Sequence, residues 1–230
     1  SAWIPKKKET LGNLRRDGKV FCNKPQDSYD HDYSYLADGQ VIPHGIYDVK
    51  GNRACIHLND THETAELVGD SLGLWWRNEG SRLYPDAKRI LILSDAGGAN
   101  SYRNHGYKHA IQRFANESGL EIVIAHYPSY ASKYNPIEHR VFPHVSRTLS
   151  GAKLTSLKQV EGLISRTKTK TGLKVVTGIM HKSYEIGKKY AKKSLEKLKI
   201  TYGNVLPKWN YSINPMNAHD QYEYTNGKIF

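Results

Sequence analysis

The sequence is poor in cysteine, with only Cys22 and Cys55 among its 230 residues. These two residues lie far apart and outside any Cys-x-x-Cys arrangement, which excludes a disulfide framework of the kind found in small secreted domains. Neither cysteine has a partner at the spacing that a structural zinc site uses, and the histidines are scattered without that spacing. The simplest interpretation is a reducing cytosolic or nuclear setting with free, buried thiols.

Long apolar runs are also missing from the chain. No apolar stretch reaches the length of about 20 residues that a membrane-spanning helix needs, and the N-terminus has no signal-peptide pattern. We therefore expect a soluble protein. The pair Gly97-Gly98 is not followed by Gly-Lys-Ser or Gly-Lys-Thr, which excludes a nucleotide-binding P-loop at this position.

Acidic residues are few relative to basic ones. Lys and Arg total 34 against 22 Asp and Glu, which gives a formal net charge of +12 and a pI near 9.5. An excess of this size favours a polyanionic partner, because cationic side chains neutralise phosphates and release their counterions. Ribosomal, membrane-surface and general nucleic-acid proteins share this composition, so charge alone does not choose among them.

A short apolar run over 89–93 is followed by Ser94-Asp95-Ala96-Gly97-Gly98. This pattern predicts a central strand of an α/β sheet that ends before a turn. An acid at the carboxyl end of such a strand lies on the edge where open α/β sheets bind their ligands. Asp95 is therefore a candidate site residue, although an Asp at this position is also a common way to start a turn.

A second acid stands in the segment Asn135-Pro136-Ile137-Glu138. Asn135 has the character of an N-cap and Pro136 that of a first helical residue, so the pattern predicts that a helix begins here. Glu138 then lies in the first turn. It is either a site residue or the reciprocal partner of the cap in a capping box.

The order of the predicted elements connects the two acids. A helix over 102–118 and a strand over 121–125 follow Asp95 and precede the helix that carries Glu138. In a parallel sheet with right-handed crossovers, this order can bring both carboxylates to one edge. Two adjacent carboxylates repel each other unless a cation lies between them, and oxygen ligands suit Mg²⁺ or Mn²⁺. The pair thus predicts a metal-dependent phosphoryl-transfer site.

The remaining patterns complete an α/β chain. They predict a hairpin over 41–49 and 53–58 and an amphipathic helix over 64–78. The pattern changes beyond residue 151, where a helix is predicted over 156–167. The Lys-rich segment 184–198 is either the solvated face of a helix or a contact with DNA.

Seven short segments, spread over nearly the whole chain, resemble the landmarks of the ISAzo13-type DDE transposases. They are Lys6-Lys7-Lys8-Glu9, His31-Asp32-Tyr33, Gly45-Ile46-Tyr47-Asp48, Trp75-Trp76, Asp95-Ala96-Gly97-Gly98, Ser132-Lys133-Tyr134-Asn135 with Ile137-Glu138-His139-Arg140, and Trp209-Asn210-Tyr211. No single segment is specific, but their order is.

The resemblance implies a ribonuclease-H-like domain over 1–150, with a mixed sheet flanked by helices, and a helical, Lys-rich C-terminal extension over 151–230 packed on it. In that family two aspartates and a glutamate hold two Mg²⁺ or Mn²⁺ ions. Asp95 matches the second aspartate and Glu138 the glutamate. Ile4 stands at the first aspartate's position and cannot ligate a metal. Either another acid supplies this ligand, with Asp32 the nearest candidate, or the copy is divergent and impaired.

The function that the resemblance implies is metal-dependent cleavage of DNA and strand transfer, with transposon ends and target DNA as partners and a homo-oligomer assembled on them. Lys133, His139 and Arg140 are expected near the scissile or adjacent phosphates. Lys168 and Lys170, in a basic linker, are further candidates for phosphate contacts.

Two other functions remain open from the residues. The chain is alternatively a transposase relic that binds DNA without cleaving it, which Ile4 favours, or a nuclease of the same fold. The localisation expected for any of the three is the cytoplasm and nucleoid of a bacterium or the nucleus of a eukaryote. Since the sequence opens on the predicted first strand, we expect it to be a catalytic fragment or a degenerate descendant without a separate helix-turn-helix module.

Overall fold

The computed structural model describes residues 2–5, 8–24, 27–95, 97–128 and 130–226. The chain forms two compact units. The first unit comprises Ser1–Ile4, Glu63–Asn135 and Tyr184–Phe230, and the second comprises Pro5–His62 and Pro136–Ser183. Lys6, Lys7 and Ala96, which belong to two of the predicted landmarks, lie outside the described residues.

The described residues form both strands and helices, as expected of an α/β chain. The strands are β1 (Ala2–Pro5), β2 (Glu9–Leu11), β3 (Gly39–Asp48), β4 (Arg53–Asn59), β5 (Arg89–Ser94), β6 (Glu121–His126), β7 (Lys174–Ile179), β8 (Ile200–Tyr202) and β9 (Asn210–Ile213). The α-helices are α1 (Ala65–Trp75), α2 (Ser81–Leu83), α3 (His105–Ser118), α4 (Pro136–Arg140), α5 (Phe142–Leu149), α6 (Leu157–Ile164) and α7 (Ala218–Asn226). Short 3₁₀ helices cover His31–Leu36, Gly98–Asn100, Ser132–Tyr134 and Lys192–Lys197, and a π-helical turn, Trp76–Gly80, joins α1 to α2.

The sheet of the first unit is mixed. Strand β5 pairs in parallel with β1 on one side and with β6 on the other, while β9 is antiparallel to both β6 and β8. Helix α3 is the crossover between β5 and β6, and a left-handed Gly119 with φ of 72° ends it. The predicted strand, helix and parallel strand around Asp95 are therefore confirmed.

Helices α1 and α3 pack against each other in this unit. Thr64 caps α1 by accepting a hydrogen bond from the Leu67 amide at 3.2 Å. A Cβ added at Gly69 would lie 3.0 Å from Cβ of Ala110, so the small residue allows the two backbones to approach closely. The Arg113 guanidinium also pairs with the Asp70 carboxylate at 2.5 Å. The predicted helix over 64–78 is thus α1 together with the π-helical turn.

The strands of the second unit also pair in both directions. Strand β3 is antiparallel to β2 and to β4, and β7 runs parallel to β4. The hairpin between β3 and β4 turns at 49–52, where an Asp48 carboxylate oxygen accepts a hydrogen bond from the Lys50 amide at 3.1 Å. The predicted hairpin is confirmed. Helices α4, α5 and α6 belong to this unit.

The C-terminal third is less helical than expected. Strands β7, β8 and β9 all lie beyond residue 151, and each pairs with a strand of its own unit. The segment 174–179 is rich in β-branched residues, which favour strands. In the Lys-rich segment 184–198 only Lys192–Lys197 is helical. Like charges four residues apart, as at Lys188 and Lys192, destabilise a helix. No helix among the described residues is long and apolar enough to cross a bilayer.

Both cysteines are free, as expected, but only Cys55 is buried, while Cys22 is exposed. Cys55 lies beside a buried histidine pair in the second unit. His44 of β3 is directly opposite His57 of β4, and Nε2 of His57 lies 3.2 Å from Sγ of Cys55. Burial lowers the pKa of His57 to about 4, and burial together with the neighbouring His57 lowers the pKa of His44 to about 3. Both rings are therefore neutral in the folded protein near pH 7.

This histidine pair should make the stability of the protein depend on pH. In the unfolded chain both rings take up protons below about pH 6.5, whereas in the folded chain they stay neutral down to pH 3–4. The contribution of these two histidines to the free energy of unfolding should therefore be greatest above pH 6.5. It should fall as the pH decreases, by up to about 1.4 kcal/mol per pH unit for each histidine. Urea unfolding across this range measures the effect.

The comparison uses His44→Gln and His57→Gln, with the exposed His62→Gln as the matched control. Each of the first two substitutions should remove up to one proton from the uptake on unfolding and so reduce the slope of unfolding free energy against pH. The third should leave this slope unchanged. Equal slopes for all three variants and the wild type would contradict the assignment.

Candidate functional site

Asp95 is the first residue after β5, at the edge of the sheet where the three parallel strands of the first unit end. The register places Ser94 opposite both Trp3 of β1 and His126 of β6. The next residues of β1 and β5 are Ile4 and Asp95, so the backbone brings position 4 alongside Asp95. The parallel arrangement thus gathers the ends of β1, β5 and β6 at one edge.

A tight turn after Asp95 brings Asn100 back to its carboxylate. The turn contains Gly98, whose φ of 57° lies in the left-handed region that glycine adopts without strain. Nδ2 of the buried Asn100 donates to Oδ1 of Asp95 at 2.6 Å and to Oγ of Ser94 at 3.2 Å. The Asn100 amide therefore orients the Asp95 carboxylate.

The oxygen of the Asn100 side-chain amide is an unusual feature of the site. Oδ1 of Asn100 is buried and accepts no hydrogen bond from any described residue. A buried acceptor without a donor marks a place for an ordered water or for a hydrated ion. The half-buried Asp95 carboxylate next to it supplies the hard oxygen ligands that a divalent cation prefers.

His126, the last residue of β6, binds the backbone at the same edge of the sheet. Nδ1 of His126 donates to the Asp95 carbonyl oxygen at 3.1 Å, so the ring carries its proton on Nδ1. Nε2 then accepts from the Tyr211 hydroxyl at 3.1 Å. Burial, with a further contribution from the Lys108 ammonium, lowers the pKa of His126 below its ordinary value. The neutral ring holds the Asp95 backbone in position.

Glu138 lies in the second unit, on the five-residue helix α4. The helix begins at Pro136, as expected, and its Ile137 is completely buried. A Cβ added at Gly45 of β3 would lie 2.6 Å from Cδ1 of Ile137 and 2.8 Å from Cε1 of Phe142. The bare backbone of Gly45 therefore allows α4 to lie directly on the sheet. This contact sets the position of the half-buried Glu138 within its unit.

Asp95 and Glu138 belong to different units, so their convergence on one cation stays a prediction. The third candidate ligand, Asp32, lies in the 3₁₀ helix His31–Leu36 of the second unit, and its side chain is outside the described part of the structure. Within that described part, no group of three or more His, Cys, Asp or Glu side chains is close enough to hold a metal ion. The donors fit the chemistry of a divalent ion, but a complete three-carboxylate set is not assembled among them.

The predicted phosphate contacts are all exposed. Lys133 is in the 3₁₀ helix Ser132–Tyr134 of the first unit, and its Nζ lies 5.2 Å from the centre of the Tyr134 ring. His139 and Arg140 end α4 in the second unit, and Lys168 and Lys170 lie in the turn between α6 and β7. Their roles stay predictions.

The sequence patterns do not single out Asn100 or His126. Asn100 carries no pattern of its own, because only the glycine turn brings it back to Asp95. A signal did exist for His126. It directly follows the strand predicted over 121–125, much as Asp95 follows the neighbouring strand, and the carboxyl ends of parallel strands meet at one edge.

Comparisons with known proteins agree with this architecture. A family model described as the Rhodopirellula transposase DDE domain, of the ISAzo13 type, matches residues 5–215, nearly the whole chain. No curated protein sequence matches the chain.

A solved structure, the Mos1 transposase in a paired-end complex with the left transposon end, is similar to 71% of this chain, with a TM-score of 0.50 and 12% sequence identity. The likeness supports the predicted ribonuclease-H-like α/β fold. The chain spans 46% of the length of that transposase.

The close contact at Gly45 leads to a stability prediction. Gly45→Ala should destabilise the protein by about 1–3 kcal/mol, the usual cost of overpacking, because the added Cβ would overlap Ile137 and Phe142. The same substitution should also displace α4 and Glu138. Urea unfolding measures the first effect, and the DNA-nicking assay described below measures the second.

Gly162→Ala is the matched control. Gly162 lies within α6, and a Cβ added there has no neighbour within 4 Å. This variant should be unchanged or more stable by about 0.5–1 kcal/mol, since Gly weakens a helix relative to Ala. If the two variants were equally stable, the close packing of α4 on β3 would be wrong.

Proposed function

Because the chain belongs to the ISAzo13-type family of transposase DDE domains, we propose that it is a polynucleotidyl transferase domain that cleaves DNA and joins a 3′-hydroxyl to target DNA. The observation that carries this proposal is the position of Asp95. It follows β5 at the edge where parallel strands end, and the Asn100 amide orients its carboxylate at 2.6 Å. This is the edge where α/β sheets bind ligands.

DNA is the proposed partner for two reasons. The net charge of +12 supplies cationic side chains in excess, and such an excess favours a polyanion. The similar Mos1 transposase is described in complex with a transposon end. Lys133, His139, Arg140, Lys168 and Lys170 are proposed phosphate contacts, and all five are exposed.

Asp95 and Glu138 are the proposed ligands of a divalent cation, Mg²⁺ or Mn²⁺. When bound, such an ion would neutralise charge on the phosphate and lower the pKa of the attacking hydroxyl or water. The chain's own residues prepare the site. Asn100 fixes the rotamer of Asp95, His126 holds the Asp95 backbone, and the Gly45 contact holds the helix that carries Glu138. Fixed ligands of this kind reduce the reorganisation that binding and reaction require.

The first ligand position distinguishes an active enzyme from a DNA-binding relic. The backbone places Ile4 alongside Asp95, and an aliphatic side chain cannot ligate a metal. With two carboxylates where three are expected, a second ion would be bound mainly by water and held weakly. We therefore propose a domain of impaired activity, with Asp32 as the alternative third ligand. A DNA-binding relic is the second candidate, and Ile4 favours it.

Nicking of a supercoiled plasmid in the presence of Mg²⁺ or Mn²⁺ tests these assignments. The wild type should nick slowly, and Asp95→Asn and Glu138→Gln should each reduce the rate by more than about a hundredfold, since even residues that only support metal ligands cost 10- to 100-fold. Ile4→Asp should raise the rate, because it restores the third carboxylate. Nicking that survives Asp95→Asn would overturn the metal assignment.

Asp32→Asn separates the remaining cases. If Asp32 supplies the third ligand, this substitution should abolish nicking, while Ile4→Asp should change the rate little. A chain that binds DNA but does not nick it, either as wild type or as Ile4→Asp, would be the relic. Melting curves recorded by circular dichroism establish that each variant is folded.

Binding to duplex DNA should depend steeply on salt and little on sequence. Each phosphate that is neutralised should contribute about −0.9 to the slope of log affinity against log salt concentration. Two unrelated duplexes of equal length should therefore give similar negative slopes in fluorescence anisotropy. A slope near zero would remove DNA as the partner.

A further inference from the structure

A basic groove lies in the first unit, between the start of α3 and the β8–β9 hairpin. It encloses about 590 Å³, and its lining includes Tyr102, Arg103, Lys108, Tyr202 and Lys208. Among the residues that the structure describes, no Asp or Glu lines it. A concave surface with several cations and no acid has the electrostatic character of an anion site.

Lys108 is the central residue of this groove. The residue is only 7% exposed, and its Nζ lies 5.5 Å from the centre of the Tyr202 ring and 5.3 Å from that of Tyr211. Among the described residues, no carboxylate forms an ion pair with it. Buried charges are normally paired, and the faces of two tyrosines only partly replace a counter-ion. Lys108 therefore directs an uncompensated positive charge into the groove.

Aromatic rings flank these cations. Tyr202 is 48% exposed. Tyr102 stacks on Trp209 with ring centres 5.2 Å apart, and the Arg103 guanidinium lies over Tyr102 at 5.2 Å. Surfaces that bind single-stranded nucleic acids combine cations for the backbone with aromatic faces on which bases stack. A paired base within a duplex cannot offer its face to such a ring, whereas an unpaired base can.

The groove is connected to the Asp95 edge through two side chains. Tyr211, whose ring faces Lys108, donates a hydrogen bond to His126, and His126 donates to the Asp95 carbonyl. All these residues belong to the first unit. A strand with one phosphate at Asp95 could thus continue into the groove within the same unit.

We propose that this groove binds an unpaired nucleotide of the DNA strand, with Lys108 on its phosphate and Tyr202 against its base. The location next to Asp95 rests on the proposed function, but the groove's own chemistry does not require cleavage. Its role is to hold a strand that has left the duplex beside the reacting phosphate.

Binding measurements without a metal ion test the groove separately from catalysis. The probes are a fluorescent oligothymidylate, a blunt duplex and the same duplex with a single-stranded extension, each added to the full chain in EDTA. Lys108→Met should weaken binding of the oligothymidylate and of the extended duplex about tenfold. The same substitution should change the affinity of the blunt duplex less than twofold.

The salt dependence provides a readout that a purely structural lysine would not change. Loss of one phosphate contact on a single strand should make the slope of log affinity against log salt shallower by about 0.7. Lys108→Arg should retain the wild-type slope. Lys88→Met removes the same charge from an exposed lysine just before β5, at the opposite edge of the sheet, and should retain it too. If Lys108→Met and Lys88→Met gave equal affinities and slopes, the phosphate contact would be wrong.

Tyr202 and two competitors test the base contact. Tyr202→Ala should weaken binding of the oligothymidylate, whereas Tyr202→Phe should not, because it keeps the ring. Thymidine monophosphate should compete better than inorganic phosphate. Equal competition would mean a free-anion site and overturn the proposal, as would an equal loss of blunt-duplex binding in Lys108→Met.

Failure of the groove and failure of the proposed function can be distinguished. A wild type that binds none of the three DNA probes would overturn both. Normal oligothymidylate binding by Lys108→Met would overturn only the proposal that the groove binds a nucleotide. Loss of nicking in Asp95→Asn, with the effect of Lys108→Met on binding retained in that background, would support both. Melting curves for each variant exclude global unfolding as the cause.

Discussion

The parallel pairing of β5 with β1 and β6 is the constraint on which the candidate site depends. Parallel strands connected by a crossover helix end at the same edge of a sheet. Asp95 and His126 therefore lie next to each other although they are 31 positions apart in the sequence. Asn100 returns to this edge through the glycine turn, and the Tyr211 strand, antiparallel to β6, adds a hydroxyl beneath the histidine. One backbone arrangement thus connects an acid, an amide, an imidazole and a phenol in a chain of hydrogen bonds.

Burial decides which basic side chains of this protein carry a charge. The histidines of the interior are neutral near pH 7, because desolvation lowers the pKa values of His44, His57, His109 and His126. The positive charge accordingly resides on Lys and Arg, most of which are exposed in the described part of the chain. Lys108 is different, because it is buried against two aromatic rings and still faces a groove. A buried cation is costly in an isolated fold, and a ligand that carries a phosphate would reduce this cost.

Much of the local structure could be predicted from the sequence. The strand before Asp95, the crossover helix, the β3–β4 hairpin and the helix start at Pro136 all have patterns of apolar spacing, turn residues or caps. The Lys-rich segment 184–198 and the strands β8 and β9 have no such patterns. Their short elements are stabilised by neighbouring strands and helices rather than by their own periodicity. Tyr211, for example, pairs with Ile124 of β6, which is far away in the sequence. Whether Asp95 and Glu138 act together stays a prediction.

The sequence by itself determined the class of the chain, its basic character and the two acids, since periodicity, charge and spaced motifs are properties of residue order. Only the tertiary structure decided which side chains support Asp95 and which cation is left without an acid. Asn100 and Lys108 have no distinguishing pattern in the sequence, and His126 has only its place directly after a predicted strand. The roles of all three come from strand register and burial. A hydrogen bond or an uncompensated charge depends on distances of a few ångströms between residues, and only the folded chain sets those distances.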